Sequence, residues 1–310
     1  MNRYEKLMDR IAKGERILID GATGTELERR GVAPLVAAWS GGGAATDPEV
    51  LRQIHEDYIA SGANIIISNT FATLRTTLED AGIGDQFEPL NRRSVEICCE
   101  ARKAGGNADV IVAGGISHWS FTTDGHEPAA ALGANAAQQA AIMADAGADL
   151  IMLEMMTDIG RMLTVLESAQ KSSLPVWVGF TCHIDKTLTV PDAVILQDGE
   201  RLTDAIEAIR DRNVPLVSIM HTEVEIIDAC LDVLNTVWEG PVGVYAHSGF
   251  SADPHWIFDG VISPDDYADY AEGWMRKGVQ IVGACCGTSP DHISRLAESV
   301  GPKSMAEKCL

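Results

Sequence analysis

Residues 61–70 read SGANIIISNT, and this short stretch contains the unit from which the fold is built. Gly62 accepts the left-handed conformation that ends a helix and turns the chain into the next strand. Residues 64–69 then form an apolar run of continuous, not alternating, hydrophobicity, which is typical of a parallel strand buried on both faces. Asn69 and Thr70 place polar side chains where that strand ends.

Similar apolar runs recur along the chain, and each is followed by a turn and a longer helical stretch. Eight strands are predicted, at residues 16–20, 64–69, 110–113, 150–154, 175–180, 215–220, 241–246 and 279–284. Helices are predicted between them, for example over residues 48–61, 135–147 and 263–277. Repeated alternation of strand and helix predicts an α/β fold, the (β/α)8 or TIM barrel, as a single domain over residues 1–310. A doubly wound open sheet is the alternative.

The charge balance excludes several classes of partner. With 24 lysines and arginines against 45 aspartates and glutamates, the chain has a formal net charge of −21 and repels phosphate groups. We therefore expect neither nucleic acid nor an anionic membrane as a partner. The seven cysteines are scattered, no apolar run is long enough to span a membrane, and the amino-terminal residues do not resemble a signal peptide. The expected location is the cytoplasm.

Polar residues with catalytic potential follow the predicted strands at their carboxyl ends, where the active sites of this barrel fold lie. Three histidines and three cysteines are among them. The residues are Asp20, Asn69, Thr70, Glu154, Thr181, Cys182, His183, His221, His247, Ser248, Cys285 and Cys286.

The adjacent cysteines Cys285 and Cys286 indicate a metal site. Gly283 and Gly287 flank them and allow the backbone to bend so that both sulfurs face one point. Two thiolates suit a soft cation, of which zinc is the common one, and catalytic zinc sites usually have three protein ligands and one open position. His221 and Cys182 are both candidates for the third ligand, and their spacing does not choose between them.

Several motifs resemble those of the zinc-dependent homocysteine S-methyltransferases, and the resemblance covers nearly the whole chain. The motifs are DGATGT (20–25), WS (39–40), DPEV (47–50), NTF (69–71), Glu154 and GACCG (283–287). The resemblance implies an enzyme that moves a methyl group from a small onium donor to the thiolate of homocysteine on a zinc ion (Zn²⁺), giving methionine.

The resemblance also implies roles for residues at the carboxyl ends of the predicted strands. It implies that Asp20 and Glu154 receive the amino group of homocysteine, and these two are the predicted catalytic residues. Backbone amides of Gly21 and Ala22 are expected to bind the substrate carboxylate. Further substrate contacts are expected from Trp39, Asn69 and Phe71, with Trp119 and Phe121 as additional aromatic candidates for the onium group.

The chain departs from the family pattern at a zinc ligand. The family has a cysteine there, within a Gly-x-Asn-Cys segment, whereas residues 218–221 read SIMH and place His221 at the ligand position. A zinc site of His221, Cys285 and Cys286 is the preferred prediction, with Cys182 as the rival third ligand and a degenerate site as a further alternative. Two thiolates leave the centre formally neutral, so we expect easier deprotonation of the acceptor thiol and a weaker nucleophile.

The donor is predicted less sharply. Met155 follows Glu154 where the betaine branch has tyrosine, and we expect no cobalamin or folate module after residue 300. A small sulfonium, such as S-methylmethionine or dimethylsulfoniopropionate, is therefore preferred. The alternatives are methylation of another thiol and a barrel that binds a metabolite without turnover. The chain could form a homo-oligomer in each of these cases.

Overall fold

The computed structural model describes residues 1–119, 127–189, 192–252 and 255–300, and its centre is a parallel sheet of eight strands. The strands are β1 Ile17–Leu18, β2 Ile65–Ile67, β3 Ile111–Ile116, β4 Leu150–Met156, β5 Val176–Phe180, β6 Val217–Glu223, β7 Val242–His247 and β8 Ile281–Ala284. The helices are α1 Arg3–Ala12, α2 Thr23–Arg29, α3 Gly43–Thr46, α4 Pro48–Ala60, α5 Arg75–Asp80, α6 Phe87–Ala104, α7 Ala129–Ala146, α8 Ile159–Ala169, α9 Leu202–Ile209, α10 Ile227–Val237, α11 Pro264–Arg276 and α12 Pro290–Val300.

The sheet closes on itself as a barrel. Each strand pairs in parallel with its neighbours in the chain, and β8 pairs with β1. Between β1 and β2 the ring is completed by a parallel bridge from Ile19 to Ile65 and by a 2.8 Å hydrogen bond from Asn64 N to Leu18 O. The predicted (β/α)8 barrel is confirmed, and the open sheet is wrong.

Two apolar layers explain why the strand sequences are continuously hydrophobic. Alternate residues of each strand point to opposite faces, so in β4 Leu150 and Met152 fill the barrel interior while Ile151 and Leu153 pack against the helices. Helix α1 closes the amino-terminal end, where Leu7 joins the interior cluster. The polar ends of the strands are therefore left at the opposite, carboxyl-terminal end.

Most predicted helices are found close to their predicted bounds, but α7 begins earlier than residue 135. It starts at Ala129, directly after Pro128, because the alanines that open it have the highest helix propensity. Two antiparallel hairpins after β5 and β7 were not predicted. They pair Cys182–Ile184 with Val194–Leu196 and Phe250–Ala252 with His255–Ile257. No helix in the described part of the chain combines the length and apolarity needed to cross a bilayer.

A buried histidine in α4 gives the fold a pH-dependent stability. His55 is fully buried, its Nε2 lies 3.3 Å from Cys98 Sγ, and its Nδ1 has no hydrogen-bond partner among the described residues. Burial lowers the pKa of His55 to about 4, whereas an unfolded histidine titrates near about 6.5. The folded state resists protonation, so stability present above pH 6.5 is lost as the pH falls from about 6.5 through about 4.

We expect His55→Leu to flatten this dependence. The apolar side chain has a similar volume and no proton to take up, so up to about 3 kcal/mol of the acid-induced loss should disappear. The free energy of unfolding, measured by urea titration at pH 7 and pH 4.5, checks this. Equal losses in both proteins would mean that other groups cause the acid sensitivity.

Candidate active site

A pocket lies at the carboxyl ends of the strands. It is lined by most of the residues that the sequence predicted and by several others. The lining residues are Ala22, Thr23, Gly24, Trp39, Ser40, Ile67, Ser68, Asn69, Phe71, Glu154, His221, Tyr245, Cys285 and Cys286. Asp20 and Gly21 are not in this lining.

The loop after β8 holds the two cysteines at the pocket floor. Cys285 N donates a 2.7 Å hydrogen bond to Ala246 O of β7, and Ser248 N donates one of 3.0 Å to Cys286 O. Gly287, at φ +85°, approaches the same segment so closely that a Cβ would lie 2.0 Å from Ser248 O. Only glycine fits there. These contacts fix the loop with the two sulfur atoms 3.7 Å apart.

His221 reaches the pocket because β6 is irregular at that point. Ile219 packs outside the barrel and Met220 inside it, so regular alternation would turn the next side chain outward. The register of β6 against β7 shifts after Met220, and His221 has a left-handed φ of 47°. The imidazole is therefore directed into the pocket, where it stacks on Phe71 with ring centroids 5.1 Å apart.

The three predicted metal ligands lie together. One ligand atom from each of His221, Cys285 and Cys286 lies within 4.8 Å of the others, and Cys285 Sγ is 3.1 Å from His221 Nδ1. A tetrahedral zinc ion separates two sulfur ligands by about 3.8 Å and a sulfur from a nitrogen by about 3.6 Å. The donor set and the 3.7 Å separation of the two sulfurs therefore fit a zinc ion, and His221 Nδ1 would move away from Cys285 Sγ by about 0.5 Å to reach its ligand position.

The rival third ligand lies elsewhere. Cys182 belongs to the hairpin after β5, is buried in the outer apolar layer, and shares a hydrogen bond with Cys230 of α10. That hydrogen bond and burial raise the pKa of Cys182 well above its usual value. Among the residues that the structure describes, the metal-ligating cluster at the pocket does not include Cys182.

The cluster is electrically polarised. The hydrogen bond from Cys285, aided by nearby His221, lowers the pKa of Cys286 to about 6, while burial raises the pKa of Cys285 well above its usual value. Burial alone would lower the pKa of His221, but Cys286 and Glu154 outweigh it and raise the pKa to about 9. These shifts favour a thiolate at Cys286.

The two predicted catalytic carboxylates occupy different surroundings. Glu154 faces the pocket, and its Oε2 lies 3.4 Å from His221 Nε2. Asp20 is completely buried, accepts a 2.8 Å hydrogen bond from Ile67 N, and lies 3.5 Å from the hydroxyl of Tyr245. Burial raises the pKa of Asp20 well above its usual value. Direct contact of Asp20 with a substrate stays a prediction.

The remaining predicted residues form the wall opposite the cysteines. The ring of Trp39 covers Gly24, where a Cβ would lie 2.4 Å from a ring atom. Asn69 Nδ2 donates a 2.8 Å hydrogen bond to Ser40 O, which ties the tryptophan loop to the end of β2. Trp119 is not in the pocket lining, and Phe121 lies outside the described residues.

The sequence analysis missed Tyr245, which lines the pocket and donates a 2.8 Å hydrogen bond to Gly21 O. Val244 and Ala246 pack outward, so Tyr245 falls on the interior face of β7 near its carboxyl end. Counting alternate positions back from the end of the apolar run would have identified it. The backbone oxygen of Gly21 is thereby occupied by a residue of the protein.

Comparisons of sequence and of structure with known proteins identify the same family. The family model described as homocysteine S-methyltransferase matches residues 17–300. Homocysteine S-methyltransferase 4 of Zea mays is 27% identical, over 91% of this chain and 89% of that protein. Selenocysteine Se-methyltransferase of Brassica oleracea var. italica is 28% identical, over 90% and 87%. The metallated crystal structure of homocysteine methyltransferase MmuM from Escherichia coli superimposes with a TM-score of 0.79 at 26% identity, covering 96% of this chain and 99% of that one.

Proposed function

Because the chain belongs to the homocysteine S-methyltransferase family, we propose that it transfers a methyl group from a small sulfonium to the thiol of homocysteine, giving methionine. The observation that carries the proposal is the convergence of His221, Cys285 and Cys286 in one pocket. These three residues would hold a zinc ion. The donors S-methylmethionine and dimethylsulfoniopropionate are both of the required chemical class.

Zinc, when bound, lowers the pKa of an acceptor thiol from its free value of about 8.5, so that the thiolate predominates at neutral pH. The chain's contribution is to hold the ligands in place. The loop after β8 fixes both sulfurs through its hydrogen bonds to β7. Phe71 supports the imidazole by stacking. With two thiolates in place of three, His221, Cys285 and Cys286 would hold a less negative centre, so the acceptor thiol would be more strongly acidified and its sulfur less electron-rich.

The walls of the pocket suit the two substrates. Trp39 and Phe71 offer aromatic faces to a positively charged sulfonium, whose charge disappears as the methyl group leaves. Glu154 supplies the negative charge that an amino group of the acceptor requires. A pocket that holds sulfur, methyl carbon and leaving atom in line would account for a large part of the rate of such a transfer.

A panel of thiols and donors assayed with the zinc-loaded protein tests the proposal. Homocysteine with S-methylmethionine or dimethylsulfoniopropionate should yield methionine, detected by mass spectrometry. Selenocysteine belongs in the panel because one relative is named for it. Transfer only to a different acceptor would identify a divergent family member. No transfer with any pair would favour a barrel that binds a metabolite without turnover.

Replacing Trp39 by leucine should weaken donor binding. A cation over an aromatic face gains about 1 to 2 kcal/mol when partly desolvated, so we expect the donor KM to rise about tenfold. The zinc content and the KM for the acceptor should stay unchanged. Steady-state kinetics with each substrate varied in turn measures both constants, and Trp238→Leu, outside the pocket, is the matched control. A rise confined to the acceptor KM would place the donor elsewhere.

A further inference from the structure

His221 is contacted on its two ring nitrogens by groups of opposite character. Nδ1 lies 3.1 Å from Cys285 Sγ, and Nε2 lies 3.4 Å from Glu154 Oε2. As a metal ligand the imidazole would be neutral, with one proton and one lone pair, so one nitrogen would donate a hydrogen bond and the other would bind the metal. A carboxylate can only accept a hydrogen bond, so the nitrogen that faces it must carry the proton. A metal ion binds a lone pair, so the nitrogen that faces the cysteines must be unprotonated. The contacts therefore assign the N–H to Nε2 and the lone pair to Nδ1.

The position of Glu154 is set by the backbone beside it. Its side chain packs so tightly on β3 that a Cβ at Gly115 would lie 2.1 Å from Oε1. Leu150 and Met152 face the barrel interior, so Glu154 is on the same face and cannot turn away without disturbing β4. Glu154 is only 5% exposed, so its carboxylate has little access to solvent and must be stabilised by neighbouring groups of the protein.

The imidazole is restrained in two directions. Phe71 lies nearly parallel to it, at an interplanar angle of 26°, and limits tilting of the ring. Glu154 contacts the ring edge and limits rotation about the bond that joins the ring to Cβ. Metal-binding histidines commonly donate their second N–H to a carboxylate, which fixes the tautomer and makes the ligand nitrogen more basic.

We propose that Glu154 is a positioning residue for His221: its carboxylate accepts the Nε2–H and leaves Nδ1 as the zinc ligand. The inference rests on the ligand set of the proposed function and deepens it. This role is separate from binding the amino group of an acceptor, because it acts on the metal before any substrate is present.

Zinc affinity of the full-length apoprotein, measured by competition with a chromophoric chelator, tests the proposal without substrate. Loss of such a carboxylate typically costs about 10- to 100-fold in metal affinity, so Glu154→Ala should weaken zinc binding by that factor. Glu154→Gln retains an oxygen that accepts the Nε2–H and should recover part of the loss. Glu223→Ala removes an exposed carboxylate from β6, the strand that carries His221, and should leave the affinity unchanged.

A second ligand background makes the test specific to the imidazole. In His221→Cys there is no ring to orient, so adding Glu154→Ala should change zinc affinity by less than about twofold. A loss of the same size in both backgrounds would overturn the proposal, because Glu154 would then act by charge alone. The absorption spectrum of the Co²⁺-loaded proteins reports the donor set and shows whether each variant still forms the site.

Two different results would separate an error in the role of Glu154 from an error in the zinc ligands. If His221→Ala loses zinc while Glu154→Ala binds it as the parent protein does, Glu154 has no positioning role and the ligand set stands. If His221→Ala binds zinc with undiminished affinity, the ligand set itself is wrong and so is the inference.

Discussion

Serine at both Cys285 and Cys286 is expected to abolish zinc binding and to reduce methyl transfer on the order of a thousandfold. Each substitution replaces a thiolate, which is a strong zinc ligand, by a hydroxyl that stays protonated and binds zinc poorly. Electrostatic stabilisation by a catalytic metal is worth several kcal/mol, and about 4 kcal/mol corresponds to three factors of ten in rate.

Metal analysis and the methyl-transfer assay measure the two effects on the same preparation. Cys99→Ser is the matched control, because Cys99 lies in α6 and outside the pocket lining. Circular dichroism establishes that the double variant is folded. Zinc content equal to that of the parent protein would remove the catalytic zinc site, and the function would then rest on the family match alone.

Replacing His221 by alanine is expected to cost more zinc affinity than replacing Cys182. Zinc sites with four ligands gain about 10–16 kcal/mol in all, so one ligand contributes roughly 3 to 4 kcal/mol, or several hundredfold in affinity. Cys182→Ala should retain its zinc, since Cys182 is buried against Cys230 in the outer layer. The same chelator competition measures both variants.

His221→Cys completes this comparison by restoring three thiolates, and it should bind zinc at least as tightly as the parent protein. The opposite pattern, with zinc lost only in Cys182→Ala, would refute His221 as a ligand. It would also require the hairpin after β5 to rearrange, because the structure separates Cys182 from the cysteine pair.

The barrel was predictable because its strands are buried on both faces. Runs such as residues 65–67 and 150–153 contain no polar residue, and a polar residue follows each, so the strand ends could be located to within about three residues. The hairpin of Phe250–Ala252 and His255–Ile257 carries no such pattern, since it lies largely on the surface. Its pairing depends on contacts with the rest of the protein.

Within the site, the position of polar residues at the carboxyl ends of the strands predicted that they lie near one another. It did not predict the directions of their side chains. It treated Asp20 and Glu154 alike, although Asp20 is fully buried beside Ile67 N and the Tyr245 hydroxyl, whereas Glu154 lines the pocket. That distinction depends on packing between neighbouring strand ends and could not have been made from the sequence. The orientation of His221 likewise depends on the bulge in β6, which continuous hydrophobicity does not reveal.

The close contact of Glu154 with Gly115 limits how this protein can change over evolutionary time. A methyl group at residue 115 would occupy the space of the carboxylate, so alanine there would displace the Glu154 carboxylate unless residue 154 were smaller. The two positions, on neighbouring strands, should therefore vary together among descendants of this sequence. A lineage that returned a cysteine to residue 221 would no longer need Glu154 to orient a ring, which would remove one of the constraints on Gly115.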